Sequence, residues 1–304
     1  MITKRGPLAD SRPGASSEFA HVAQQSRVGP YRLLNLVRAG KTCEVYEVLN
    51  DLTGQRRAIK LLADEAAHNR EEVGYLKHEH LVGQKLSHPQ VINIYEFGTD
   101  KDAVYLAMEL FAAPNLKQWI NQGVDSFASL ATSAIQKAGE GLAYFHAQGW
   151  VHRDVKPDNF LMNSEGDVKL IDFALAVRPK RGLARLFSGR PKVQGTRSYM
   201  SPEQIRAQPV DQRSDLYSFA CMVYELLGGK PPYTGTSTND LLNKHLRATI
   251  PPLQASNRNV SDDFAELIRA SLAKNPDERP PSVADFLREM RSMKVFKIPP
   301  AAVR

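Results

Sequence analysis

Residues 150–162 read WVHRDVKPDNFLM. His152, Arg153, Asp154, Lys156, Asp158 and Asn159 stand there between apolar residues on both sides, in a pattern that ordinarily marks buried chain. A buried polar group costs free energy unless it is hydrogen-bonded, and a buried charge costs more unless it is paired. Any fold that accepts this segment must therefore bring partners to a whole cluster of polar side chains at once. A polar turn between a helix and a strand is the plain alternative, and for the segment in isolation it is the better one. The residues before and after overturn it.

A chain of 304 residues corresponds to about two globular units. Its composition, 42% hydrophobic and 24% charged, is that of an ordinary globular protein rather than a disordered one. Two cysteines, Cys43 and Cys221, cannot form a disulfide framework, which points to a reducing compartment. No apolar run approaches the roughly 20 residues of a membrane helix. The N-terminal stretch has no apolar h-region of a signal peptide, so the expectation is a soluble, cytoplasmic protein.

Residues 1–30 are rich in Gly, Pro, Ser and polar residues and read as a flexible extension. From Tyr31 the runs YRLLNLV, CEVYEVL and RRAIKLL alternate like strands, separated by turn-like RAGKT and NDLTGQ. A helix follows over 69–86, with Val73, Leu76, Val82 and Leu86 near helical spacing, ending before Pro89. VINIYEFGTD and AVYLAMEL read as two more strands. Beyond Pro114 the pattern turns helical, with Ile135, Ala138, Leu142 and Phe145 on one stripe and LYSFACMVYELLGG apolar nearly all round. Further helices fit 238–246, 261–273 and 282–292. The expected architecture is α+β: a β-rich unit over 31–108, a connection at 109–114, a helical unit over 115–292, and a loose tail over 293–304.

Asp154 and Asn159 lie five residues apart on what should be a loop, and Asp172 follows the strand-like VKLI. Two carboxylates and an amide converging on one place suit a magnesium–phosphate site, because Mg²⁺ takes one or two carboxylates and completes its shell with phosphate oxygens and water. A carboxylate close by can accept a proton from an attacking hydroxyl.

At these residues the sequence resembles the eukaryotic-type serine/threonine protein kinases, in the form also found in bacteria. HRDVKPDN is similar to the catalytic loop and IDFA to the D-F-G metal motif, while AIK at 58–60 and SPE at 201–203 are similar to V-A-I-K and A-P-E. The resemblance runs from about Tyr31 to Met290, with all motifs in family order. It implies a two-lobed fold, a small antiparallel β-rich lobe with one long helix over a larger helical lobe, with ATP in the cleft between them. It also implies that Asp154 orients the substrate hydroxyl, that Lys156 contacts the γ-phosphate, and that Asn159 and Asp172 hold Mg²⁺, with Mn²⁺ as an alternative. Lys60 is implied to contact the α/β-phosphates with a glutamate partner; of Glu71, Glu72 and Glu79, the last lies nine residues before His88-Pro89, as the family's partner does. By the same carry-over the adenine pocket is lined by Val37, Val45, Ala58, Met108, Glu109, Phe111 and Leu161, with Gly40 over the phosphates. Asp215 is implied to hold the catalytic loop, Arg279 to pair with Glu203, and Thr196 to contact Asp154 and Lys156.

Two motifs depart from the family. In the phosphate-covering stretch RAGKTCEV only Gly40 survives, Arg38 and Cys43 occupying the other two glycine positions. Asp172-Phe173-Ala174 lacks its glycine, and alanine there penalises a left-handed conformation by about 1 kcal/mol or more. Both losses weaken or reshape the loops without removing a chemical group. Cys43 could sense oxidants, although an inert thiol is the simpler expectation.

Between Asp172 and Glu203 there are seven basic residues and no acid, which nearly accounts for the net charge of +7. The basic balance is thus local, a patch beside the substrate cleft, and no nucleic-acid recognition module accompanies it. As an activation segment it offers Ser188 and Ser198 as phosphoacceptors, Arg153 as their receiver and GLARLF as a short amphipathic turn. The expected activity is ATP- and Mg²⁺-dependent phosphorylation of serine or threonine in protein substrates, a second copy of the chain among them. The rivals are a pseudokinase-like nucleotide-binding scaffold, favoured by the lost glycines, and a small-molecule kinase, which usually lacks the segment ending in SPE.

Overall fold

Short runs of mixed apolar and polar residues build the first lobe as a six-stranded antiparallel sheet, in the order β1-β2-β3-β4-β6-β5. Its strands are β1 (Arg27–Val28), β2 (Tyr31–Ala39), β3 (Cys43–Asn50), β4 (Arg56–Leu62), β5 (Ile94–Asp100) and β6 (Ala103–Met108). The register sets Lys60 of β4 opposite Val45 of β3 on one side and Leu106 of β6 on the other. Lys60 therefore points from the middle of the sheet, while its neighbours Ile59 and Leu61 face the other way into a small core with Tyr31, Val48 and Tyr105. The computed structural model of the chain describes residues 27–179 and 194–301. Ser188 and the GLARLF stretch lie outside them, as do residues 1–26.

After the short α1 (Asp64–Ala67), the long helix of this lobe is α2 (Arg70–Gly83). It starts where the Asn69 side chain accepts the Glu71 amide at 2.9 Å, and Glu71 and Glu72 place negative charge in its first turn. Its buried face carries Leu76, Glu79 and Val82, and it ends at the buried Gly83 against β5. A Cβ on Gly83 would come within 2.3 Å of the Ile94 side chain and 3.2 Å of Phe173, so glycine is what lets the helix end approach so closely.

The helical lobe begins with α3 (Leu116–Asn121), fixed by a reciprocal capping box between Asn115 and Gln118. Its centre is α4 (Ala128–Ala147) and α6 (Gln212–Gly228), with the hairpin β7 (Phe160–Met162) and β8 (Val168–Leu170) and the short α5 (Pro202–Ile205) between them in the chain. The predicted stripe of Ile135, Ala138, Leu142 and Phe145 is buried, and α6 is buried on all sides from Ser214 to Leu227. Around them stand α7 (Thr238–Arg247), α8 (Asp262–Ser271) and α9 (Val283–Arg291). Arg279 forms a two-pronged pair with Glu203 at 2.8 and 2.9 Å, tying α5 to the far end of the lobe.

Three expectations need correction. The N-terminal extension ends earlier than residue 30: Val28 is buried and its strand pairs with Tyr31, because an apolar residue at the sheet edge gains more from packing than the chain loses in freedom. The strand expected from Val91 starts at Ile94, with Val91 making an isolated bridge to Leu170. The tail is not loose through residue 298: Val295 and Phe296 are buried, and Asn259 holds Lys297 and Ile298 by hydrogen bonds of 2.7 and 2.9 Å. No helix among the described residues is long and apolar enough to cross a membrane.

Candidate active site

Between the sheet and the helical lobe lies a cleft of about 530 Å³. Val37, Gly40, Val45 and Ala58 form its roof. Lys60, Glu79 and Met108 line its rear, and Glu109 and Phe111 its connecting edge. Leu161 lines the floor together with Lys156, Asn159 and Asp172. The structure thus brings these sequence-selected residues to one place, although they span more than a hundred positions. Asp154 is not in the wall itself and reaches the cleft through Lys156 and Asn159.

At the rear, Lys60 Nζ donates to Glu79 Oε2 at 2.8 Å and lies 3.5 Å from Asp172 Oδ1. The choice of Glu79 over Glu71 and Glu72 matches this contact. Burial alone would favour the neutral amine, but the carboxylates of Asp172 and Glu79 override it and hold the Lys60 pKa above its ordinary value. Burial likewise works against the Asp172 charge, yet Lys60, His152 and Lys156 hold its carboxyl below the ordinary range. Both groups are therefore charged at neutral pH. Phe173 is fully buried, stacked on Phe145 at 5.3 Å, beneath the glycine end of α2. This packing couples the position of Glu79 to that of Asp172.

At the floor, every lone-pair direction of the Asp154 carboxylate is used. Oδ1 accepts from the Thr196 amide at 2.8 Å and its hydroxyl at 2.9 Å. Oδ2 is 2.6 Å from Lys156 Nζ and 3.2 Å from Asn159 Nδ2. Lys156 Nζ also donates to the Thr196 hydroxyl at 2.8 Å, as expected from the sequence. Asn159 donates a second bond to the Asp154 carbonyl at 2.8 Å, which leaves its amide oxygen as the group turned to a ligand.

The loop is held from below by Asp215 on α6. Its carboxylate accepts the His152 amide at 2.6 Å, the Arg153 amide at 2.8 Å and lies 2.8 Å from His146 Nε2. Arg153 is left-handed, with φ +69°, and Asp172 likewise, with φ +66°. Such strain in non-glycine residues persists only where the surroundings impose it. Ala174 is not left-handed, so the expected penalty for lacking glycine in Asp-Phe-Ala does not arise in this conformation: Asp172 carries the turn instead. The Arg153 guanidinium reaches Gln194 at 3.4 Å, on the near side of the segment that continues to Thr196.

Sequence reasoning missed several residues of the cleft. Ile92 and Ile171 line it, and only the latter had a signal, as the apolar neighbour of Asp172. At the mouth, Lys117 of α3 pairs with the buried Glu225 of α6, which also accepts the Tyr199 hydroxyl at 2.5 Å. No spacing announces a contact between residues so far apart. The Glu109 carboxylate turns away from the cleft to Asn93 at 2.9 Å and Lys169 at 2.7 Å. Cys43 lines the cleft, but burial pushes its thiol up, away from the reactive thiolate.

Two lobes closing on one cleft, with a charged pair behind it and a saturated carboxylate beneath, is the architecture of the protein kinases. Residues 31–290 match the protein kinase domain, and the chain belongs to that family. It is 30% identical over 265 residues to a probable serine/threonine-protein kinase of Clostridium acetobutylicum, covering 87% of this chain and 40% of that protein. It is 28% identical over 264 residues to the serine/threonine-protein kinase PrkC of Bacillus subtilis, covering 87% and 40%. With the serine/threonine-protein kinase PknA of Mycobacterium tuberculosis the identity is 30% over 277 residues, covering 90% of this chain and 63% of the relative. The chain thus spans from 40% to 63% of the length of these relatives.

Proposed function

We propose that the chain is a serine/threonine protein kinase, transferring the γ-phosphoryl group of ATP to a serine or threonine hydroxyl of a protein, with a second copy of the chain as one substrate. The observation that carries this reading is the Asp154 carboxylate with its four donors, set beside a cleft whose rear holds Lys60 against Glu79. Lys60 anchors the phosphates, and Glu79 keeps it aimed. An incoming hydroxyl takes the place of one donor on Asp154, which orients it and accepts its proton, a role worth about 10²–10⁴ in rate. Lys156, already against Asp154, balances charge on the γ-phosphate as it is passed. Most of the catalysis is positioning and charge stabilisation.

The donor set fits Mg²⁺, or Mn²⁺ in its place. Asp172 is an ionised carboxylate and Asn159 offers its amide oxygen, both hard oxygen donors on the cleft floor. Among the described residues no group of three or more His, Cys, Asp or Glu could hold a metal by itself, which suits an ion shared with phosphate oxygens and water. When bound, the ion supplies neutralisation of the phosphate charge. We place the enzyme in the cytoplasm, where ATP and reduced thiols are kept.

The rival is a nucleotide-binding scaffold without transfer, favoured by the loss of glycine at positions 38 and 43. Incubation of the chain with Mg²⁺ and labelled ATP, beside Asp154→Asn and Asp172→Ala and with phosphosite mapping, separates the two. Label on serine or threonine from the unmutated chain alone is the expected result. Nucleotide binding with no label on the chain or on a basic test protein overturns the kinase reading in favour of the scaffold.

A further inference from the structure

We propose that Arg38 is a nucleotide-binding residue that grips the phosphate tail through its guanidinium, in place of the Gly40 main-chain contact that the β2–β3 turn spends on its own closure. The inference rests on the ATP-binding reading above.

The turn is closed on itself. The Gly40 amide, the natural donor to a phosphate, is spent on the Cys43 carbonyl at 2.9 Å. A Cβ at Gly40 would sit 2.7 Å from that same carbonyl oxygen, and Gly40 is not among the left-handed glycines. Its glycine is therefore required by the turn's own closure, not by the approach of a ligand. Arg38 and Cys43 are in the ladder, opposite Val45 and Leu62, in extended backbone that any residue adopts. The Thr42 carbonyl is tied to the Ala63 amide at 3.0 Å, which pins the far side of the turn.

A local irregularity places Arg38 in the wall of the cleft. Successive residues of a strand point to opposite faces, so Val37 and Arg38 should not both line one cavity. They do, because the β2–β3 register shifts between Leu36 and Arg38. Bulges of this kind commonly re-aim a side chain beside an active site. Arg38 makes no ion pair among the described residues, whereas Lys60 already holds Glu79 and Asp172. An uncommitted cation at the roof, facing a committed one at the rear, brackets the space where a polyphosphate would lie. A guanidinium is always charged and can meet two phosphate oxygens at once, which replaces the spent Gly40 amide better than an ammonium would.

Titration calorimetry of the full chain with ATP, ADP and adenosine, for the unmutated protein, Arg38→Ala and Arg38→Lys, tests this. Arg38→Ala should weaken ATP and ADP about tenfold, the scale of one charge-assisted contact, and leave adenosine unchanged. Arg38→Lys should recover part of the loss, and added salt should narrow the gap between variants. Equal affinities for ATP in the unmutated protein and Arg38→Ala overturn the inference alone. So does a rise in the KM for a peptide substrate with ATP affinity intact, which would make Arg38 a reader of the peptide. An unmutated chain that binds no nucleotide overturns the nucleotide reading itself.

Discussion

The catalytic loop around residues 151–159 and the β2–β3 turn at 38–43 face the same cleft, but they are stabilised in opposite ways. The first is held by partners from outside. Asp215 fixes two of its amides, Gln204 Nε2 donates to the Arg153 carbonyl at 2.9 Å, and Thr196 closes on Asp154. The second is held mainly by itself, through the Gly40 amide, the Cys43 carbonyl and a glycine, with one bond from outside, the Ala63 amide to the Thr42 carbonyl. On the proposed reading, side-chain identity in the loop carries the chemistry, so Asp154, Lys156 and Asn159 cannot be exchanged without loss of the group that reacts. In the turn, most positions need only a backbone shape. Arg38 and Cys43 satisfy that shape as extended residues, which is how two glycines can be absent while the strands remain paired.

The most damaging way to break the comparison is to remove the loop's external support. Asp215→Ala leaves two amides and His146 without their carboxylate in a buried site, at about 1–3 kcal/mol for each unsatisfied group. It also removes one of two bonds that hold the left-handed Arg153 backbone, leaving that from Gln204 to its carbonyl. Chemical denaturation should show a loss of about 3 kcal/mol or more, and phosphoryl transfer should fall at saturating ATP. Nucleotide affinity should change less, because Lys60 stands on β4, an element that Asp215 does not touch. Transfer that survives Asp215→Ala would mean that the loop keeps its shape without this anchor.

The same contrast governs what could be read in advance. Lys60, Glu79, Asp154, Asn159 and Asp172 were legible because each is a specific chemical group at a specific spacing, and their network follows from the two-lobed fold. The buried stripe of α4 and the all-round apolar α6 were legible from periodicity alone. The bulge that places Arg38 in the cleft wall was not, since register shifts leave no mark in a hydrophobic pattern. Nor was the Lys117–Glu225–Tyr199 cluster, whose members meet only through tertiary packing. Val28, Val295 and Phe296 were misjudged because a lone apolar residue or a short pair among polar, glycine and proline residues looks like linker until something packs on it.

Gly40→Ala should have a smaller effect than Asp215→Ala and should act locally. The new methyl group meets a backbone oxygen at 2.7 Å, so the turn itself must move. Overpacking of this kind costs about 1–3 kcal/mol, less here because the turn is at the edge of the lobe. ATP affinity should fall together with that small loss of stability, while the Asp154 network stays intact. A Gly40→Ala chain with unchanged stability and nucleotide binding would show that the turn relaxes freely and that its closure does not govern the roof.

The smallest effect is expected at Ala174, where the departure from the family looks most consequential in the sequence. Its backbone is not left-handed, and its amide is 3.4 Å from Asp172 Oδ1, so nothing in this arrangement asks for glycine. Ala174→Gly should therefore relieve no strain. It should lower stability by roughly 0.4–1 kcal/mol through the greater freedom of the unfolded chain, with transfer unchanged within about twofold. Urea denaturation and a steady-state assay would measure both. A large gain in transfer on Ala174→Gly would mean that the reacting enzyme visits a left-handed conformation at 174 that alanine resists, and that the assembled Lys60–Glu79–Asp172 arrangement is the resting one. A null result would locate the constraint in Asp172, whose own φ of +66° already makes the turn.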